Sequence, residues 1–113
     1  MLDIPAQPDA PIACDMRGAP DTPEERLQAY RALFATALLA RERRPDAVVL
    51  RLRAEATATV EALARREAAC CPFLSYRVEP DGDAITWTIG GESTETLDAF
   101  DALAQGRRIT LPA

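Results

Sequence analysis

Apolar residues recur along the chain at two different spacings, and these spacings predict alternating helices and strands. In residues 23–43 and again in residues 57–71, the apolar positions are three or four residues apart, which places them on one face of a helix. They are Leu27, Tyr30, Phe34 and Leu38 in the first segment, and Val60, Leu63 and Ala64 in the second. We predict that the helices end before Pro45 and Pro72, because a proline disfavours the helical conformation in the residue before it.

The start of the first helix has its own local signal in the stretch DTPEE. Thr22 suits the N-cap position and Pro23 suits the first helical position. Glu25 lies three residues after Thr22, as a capping box requires, so we expect the two side chains to bond each other's backbone N–H groups.

Strands are predicted where apolar and polar residues alternate. Residues 47–54, AVVLRLRA, alternate in this way, and residues 73–90 form two alternating runs around a turn at 80–82, which predicts a β-hairpin. A short helix is predicted over 94–104, and the stretch RITLP at 108–112 is compatible with a last edge strand. In the first strand the predicted inward residues are Val48, Leu50 and Leu52.

The element order α-β-α-β-β-α predicts an α+β fold: a small antiparallel sheet of three or four strands with the helices packed on one face. Residues 1–21 hold four of the nine prolines and lack periodicity, so we predict an extended N-terminal arm before a single domain at 22–113. A small sheet with one uncovered face also predicts a homodimer.

Composition excludes several classes of function. The net charge is −5 and the isoelectric point about 4.7, which argues against a nucleic-acid partner. The chain has no histidine, which excludes Ser-His-Asp and Cys-His catalysis and histidine-containing zinc sites. No apolar run approaches the about 20 residues that span a bilayer, and the first residues lack a signal-peptide pattern. We therefore expect a cytoplasmic protein with free thiols and no membrane partner.

The most unusual stretch is REAACCPFLSY at 66–76, where two of the three cysteines are adjacent. Cys70 and Cys71 follow Glu67 by three and four residues, so the three side chains share adjoining helix surface. A thiolate nucleophile is disfavoured there, because the C-terminal end of a helix carries negative partial charge. A soft cation displaces thiol protons itself, and Cys14 on the arm can fold back towards the pair. We therefore predict a site for Hg(II), As(III), Cu(I) or Zn(II).

The predicted site consists of Cys70, Cys71, Cys14 and Glu67, and its function would be sequestration or sensing rather than catalysis. Other readings remain open. In one, the adjacent pair forms a vicinal disulfide. In the other, the cysteines only pack in the core, as buried cysteines commonly do, and the function is that of a small-molecule-binding or catalytic homodimer with a pocket near Tyr76 and Trp87, with Glu67 as an acid or base.

Two segments carry a resemblance to known proteins. The stretches CDM…APDTPEERLQAYRALFATAL and REAACCPFLSYRV, with a Trp-bearing strand after them, resemble a set of small bacterial proteins that share a CCPF motif. The second stretch also resembles the tail of some MerR-type heavy-metal-responsive regulators. The resemblance implies an accessory or sensing domain in which Cys70 and Cys71 meet a thiophilic ligand. It does not imply transcription control, because the sequence lacks the winged-helix DNA-binding part of those regulators.

Overall fold

Five strands and three helices form the part of the protein that the computed structural model describes, residues 1–106. In chain order they are β1 Leu2–Ile4, α1 Pro23–Ala37, β2 Leu38–Arg44, β3 Ala47–Arg53, α2 Thr57–Cys70, β4 Ser75–Asp81, β5 Ala84–Gly90 and α3 Thr94–Ala104, with a single 3-10 turn, Ala54–Ala56, before α2. The strands form one antiparallel sheet in the order β1-β4-β5-β3-β2. The α+β class and the antiparallel sheet are confirmed, whereas the predicted three or four strands and the order α-β-α-β-β-α are wrong.

One cause of the difference is that the first helix is shorter than predicted. The capping box of Thr22 and Glu25 forms as expected, but α1 ends at Ala37 and the residues after it form β2. Pro45 lies in the turn between β2 and β3 instead of closing a helix. The stretch LLARERR is composed of good helix formers, but backbone pairing with β3 outweighs that preference.

Charged side chains of β2 attach this edge strand to α3. Arg41 donates a hydrogen bond to the Asp101 carboxylate at 2.9 Å, and Arg43 donates one to Asp98 at 3.0 Å. The two arginines are two residues apart, so their side chains lie on the same side of the strand, which is the side that faces α3. They have a role in packing that the sequence pattern did not reveal.

The other cause of the difference is β1, which lies within the predicted N-terminal arm. Leu2 pairs with Val78 of β4, so the first residues form an edge strand of the sheet. The predicted strand at 108–112 lies outside the described residues. None of the helices in residues 1–106 is both long and apolar enough to cross a membrane.

The core lies between the sheet and the helices. The three predicted inward residues of β3 are fully buried, as are Tyr76 of β4 and Trp87 of β5. Tyr30 of α1 stacks on Trp87 with ring centroids 6.1 Å apart, and its edge meets Phe100 of α3 at 6.1 Å. These aromatic contacts hold α1 and α3 against the middle of the sheet.

The opposite face of the sheet is polar. Thr86 of β5 lies between Arg51 of β3 and Glu79 of β4, and Thr88 lies between Val49 and Arg77. Arg51 forms an ion pair with Asp81, and Arg77 forms one with Glu79. Such a surface does not need an apolar cover, so the homodimer stays a prediction without support from this face.

Candidate functional site

The N-terminal arm crosses the C-terminal end of α2, where the two adjacent cysteines lie. The backbone N–H of Gln7 donates to the Pro72 carbonyl at 2.8 Å, and that of Asp15 donates to the Cys70 carbonyl at 3.0 Å. Between these two bonds, Cys14 is joined to Cys71 by a disulfide with a Cα–Cα distance of 4.5 Å. The arm is therefore held over the helix end by two backbone hydrogen bonds and one covalent link.

The disulfide corrects two expectations about the cysteines. We expected free thiols, but only Cys70 is free, and it is buried. The pair at the helix end does not form a vicinal disulfide, because Cys71 bonds Cys14 instead. Cys71 follows the last residue of α2, and its φ of −126° is outside the helical region. Its side chain therefore does not share the helix face on which the Cys70 side chain lies.

All four predicted site residues line one cavity of about 190 Å³. The structure thus brings together Cys14, Cys70, Cys71 and Glu67, which come from the arm and from the end of α2. Most of the other lining residues are apolar: Ile12, Ala13 and Met16 from the arm, Phe73 after α2, and Ala99, Phe100 and Leu103 from α3. The arm therefore forms one wall of the cavity.

Tyr76 and Trp87 do not line this cavity. Both rings are fully buried in the core. The Tyr76 hydroxyl donates a hydrogen bond of 2.9 Å to the Cys71 carbonyl, which places Tyr76 beneath the helix end as a structural support. The tyrosine that lines the cavity is Tyr30 of α1, together with the aromatic rings of Phe73 and Phe100.

A buried arginine lies at the centre of the site and was not predicted from the sequence. Arg26 is only 2 % exposed. Its guanidinium donates two hydrogen bonds to Asp21, at 2.6 and 2.7 Å, and one of 2.6 Å to Glu67 Oε1. Both terminal nitrogens are also 4.0 Å from the Cys70 sulfur. Arg26 thus neutralises one of two carboxylates and places positive charge beside the free thiol.

Burial and the ion pairs act in opposite directions on the carboxyl groups. Burial raises the pKa of Glu67 above its ordinary value, although the hydrogen bond and charge of Arg26 oppose the shift. The hydrogen bonds from Arg26 lower the pKa of Asp21, which is closer to solvent. Glu67 is therefore the acidic group at this site whose ionised form burial penalises.

Two polar groups at the cavity are incompletely hydrogen-bonded among the described residues. The hydroxyl of Tyr30 is buried and makes no hydrogen bond of ordinary geometry, but it lies close to the Glu67 carboxylate; burial first, and then the charge of Glu67 and hydrogen bonding to it, raise the pKa of Tyr30. Glu67 Oε2 is 3.8 Å from the Cys71 sulfur. A disulfide sulfur carries no proton, so this contact is not a hydrogen bond while the disulfide is present.

We expect Glu67→Gln to change how stability depends on pH. A carboxyl group whose pKa is higher in the folded than in the unfolded state contributes stability below its unfolded value, and that contribution is lost as the pH rises through the folded value. The free energy of unfolding of Glu67→Gln, relative to the parent, should therefore increase as the pH rises from the ordinary value of 4.5 towards 7. Denaturant unfolding at several pH values measures this difference.

Glu92→Gln is the control for this prediction, because Glu92 is exposed in the loop before α3 and its carboxyl stays in water. The difference in free energy of unfolding between Glu92→Gln and the parent should change less with pH. An equal or larger change for Glu92→Gln, or a decrease for Glu67→Gln, would contradict the stated effect of burial.

Within residues 1–106, no group of three or more Cys, Asp or Glu side chains has an arrangement that could hold a metal ion. The disulfide occupies two of the three predicted sulfur ligands, so the predicted ligand set is closed in this oxidised form. Comparisons with protein-family models, with curated proteins and with solved structures find no match to this chain.

Proposed function

We propose that the protein is a redox-controlled thiol module, which binds a soft metal or metalloid ion when it is reduced. The observation that supports the proposal best is that all three cysteines and Glu67 line one cavity, although Cys14 and Cys71 are 57 residues apart in sequence. Cys70 and Cys71 are adjacent in sequence, so what the fold adds is the approach of Cys14 to this pair. The disulfide is then the closed state of the module.

Reduction by a dithiol or phosphine adds two electrons and two protons to the Cys14–Cys71 disulfide, and two thiols form beside Cys70. A soft cation such as Hg(II), As(III), Cu(I) or Zn(II) then displaces thiol protons and forms metal–sulfur bonds. Glu67 offers an oxygen ligand on the same cavity wall. Arg26, 4.0 Å from the Cys70 sulfur, offsets the excess negative charge of a complex with several thiolates.

Sequestration or sensing suits this chemistry better than catalysis. The ion and the disulfide are alternative ways to join Cys14 of the arm to the end of α2. The arm therefore depends on its backbone hydrogen bonds alone only when the protein is reduced and without an ion. A reducing compartment such as the cytoplasm would populate the ion-binding state. The resemblance to the CCPF proteins and to the MerR-type tails agrees with such a role and stays a prediction.

We expect the reduced protein to bind one equivalent of Hg(II) or As(III), and the oxidised protein to bind at least tenfold more weakly because a single thiol, Cys70, remains. The protein is reduced with a phosphine, which is then removed, and each ion is added at equimolar concentration. Native mass spectrometry measures the stoichiometry of the ion. The same spectra show whether the protein is a homodimer.

Three serine variants assign the ligands. Cys14→Ser, Cys71→Ser and the double variant Cys70→Ser/Cys71→Ser should each bind more weakly than the reduced parent, and the double variant should bind weakest. Ser93→Ala, which changes another residue of the cavity lining, should bind like the parent. The proposal is wrong if no ion binds stoichiometrically to the reduced parent, or if the double variant binds equally well.

A further inference from the structure

The cavity is larger and more apolar than an ion alone requires. Its volume of about 190 Å³ compares with the about 150 Å³ of an engineered apolar cavity that binds benzene. Side chains such as Met16, Phe73, Phe100 and Leu103 form most of its surface. A cavity of this size and lining can hold one small ring-shaped organic molecule.

The polar atoms of the cavity indicate what that molecule carries. The hydroxyl of Tyr30, which lies close to Glu67 without a hydrogen bond of ordinary geometry, can donate and accept a hydrogen bond, and Glu67 Oε2 can accept one. A buried polar atom without a partner is costly, so a ligand group that pairs with either atom is favoured. A hydroxyl group can accept from Tyr30 and donate to Glu67.

The charges at the site favour a neutral molecule. Arg26 uses its strong hydrogen bonds on Asp21 and Glu67, so it offers little to an anion. A cation would meet the guanidinium at the same wall. The rest of the lining is mainly apolar and penalises either charge. The other carboxylate of the lining, Glu95, is exposed to water, which screens its charge.

We propose that, with the Cys14–Cys71 disulfide in place, this cavity binds a small, neutral, mainly apolar molecule of about the size of a phenol that carries one hydroxyl group. Tyr30 and Glu67 recognise the hydroxyl, and the residues of the arm and α3 enclose the ring. The disulfide holds the arm, and therefore one wall of the cavity, in place. This inference concerns the oxidised protein and does not depend on ion binding by the reduced form.

The test titrates the oxidised full chain with 4-fluorophenol and, as the matched ligand without a hydroxyl, with fluorobenzene. Fluorine NMR of each ligand measures binding. We expect 4-fluorophenol to bind the parent more tightly than fluorobenzene does. Tyr30→Phe should weaken 4-fluorophenol about three- to tenfold, as expected for one hydrogen bond, and leave fluorobenzene unchanged.

A second pair of variants tests the place of binding. Ala99→Leu adds bulk to the cavity lining and should abolish binding of both ligands, whereas Ala58→Leu, on an exposed part of α2, should not change it. Tyr30→Phe is expected to fold, because the hydroxyl makes no hydrogen bond of ordinary geometry with the described residues. The unfolding midpoint of the variant checks this. The inference is overturned if neither ligand binds, if Tyr30→Phe leaves 4-fluorophenol unaffected, or if Ala99→Leu binds like the parent.

Discussion

Reduction of the Cys14–Cys71 disulfide is expected to lower the free energy of unfolding by about 4 kcal/mol. The bond joins residues 57 apart in sequence, so it removes a large amount of conformational freedom from the unfolded chain. Unfolding in urea, with and without a phosphine reductant, measures the loss. The folded arm keeps its backbone bonds from Gln7 and Asp15, so the main effect is expected on the unfolded state.

Single cysteine variants separate this effect from other consequences of the reductant. Cys70→Ser retains the disulfide and should lose as much stability on reduction as the parent does. Cys14→Ser cannot form the bond, so the reductant should leave its stability unchanged. If the reductant lowers the free energy of unfolding of Cys14→Ser as much as that of the parent, the disulfide is not the cause of the loss.

The proposed function requires that the protein remain folded after the disulfide is broken, because only the reduced form binds an ion. A domain of this size has a typical free energy of unfolding of about 5–15 kcal/mol. A loss of about 4 kcal/mol leaves a folded protein over most of that range. Binding of an ion to the folded state would then restore stability in proportion to its affinity.

Arg26→Met is expected to cost about 3–5 kcal/mol of stability, the usual effect of removing one partner of a buried ion pair. The substitution keeps much of the side-chain volume but leaves the Glu67 carboxylate, which is 7 % exposed, without its guanidinium. Asp21 loses two hydrogen bonds at the same time. Denaturant unfolding at pH 7 measures the cost.

Arg66→Met is the matched control. Arg66 also approaches Asp21, with a nitrogen–oxygen distance of 3.9 Å, but its side chain is 43 % exposed. Water screens such a contact, so we expect a cost below about 1 kcal/mol. If the two variants lose similar amounts of stability, the cluster around Arg26 is not the buried network that its geometry indicates.

Combining Arg26→Met with Glu67→Gln provides a further check. The neutral amide does not leave an unpaired charge, so the double variant should be more stable than the sum of the two single losses predicts. Additive losses would mean that the two side chains do not interact strongly in solution.

Local sequence patterns were sufficient for the elements that their own residues stabilise. The capping box of Thr22 and Glu25 and the bounds of α3 follow from contacts within a few residues, and both are present in the structure. The predicted β-hairpin also forms, but its turn lies at 82–83 and not at 80–82, because Pro80 and Asp81 still pair with β5. The buried side of β3 follows from simple alternation. The convergence of Cys14 with the cysteine pair was expected only from the reach of the arm.

Arg26 shows why the buried face of α1 was misjudged. Arg26, Tyr30, Leu33 and Ala37 have helical spacing, and they are the buried residues of α1. The predicted stripe of Leu27, Tyr30, Phe34 and Leu38 joins apolar residues only and therefore leaves out Arg26. A buried arginine is costly without a partner. The partner is Glu67, 41 residues further along the chain, which no local pattern reveals.

The amino-acid sequence alone determined the α+β class, the helix caps, and the placing of Glu67 and Cys71 next to Cys70, since these depend on periodicity and on contacts within one or two turns. Only the tertiary structure decided that residues 38–44 form a strand, that Cys71 pairs with Cys14, and that Arg26 is buried beside Glu67. Each of these joins residues of different elements. Their free energy comes from backbone pairing, covalent closure or charge burial that exists only when distant segments have already packed together.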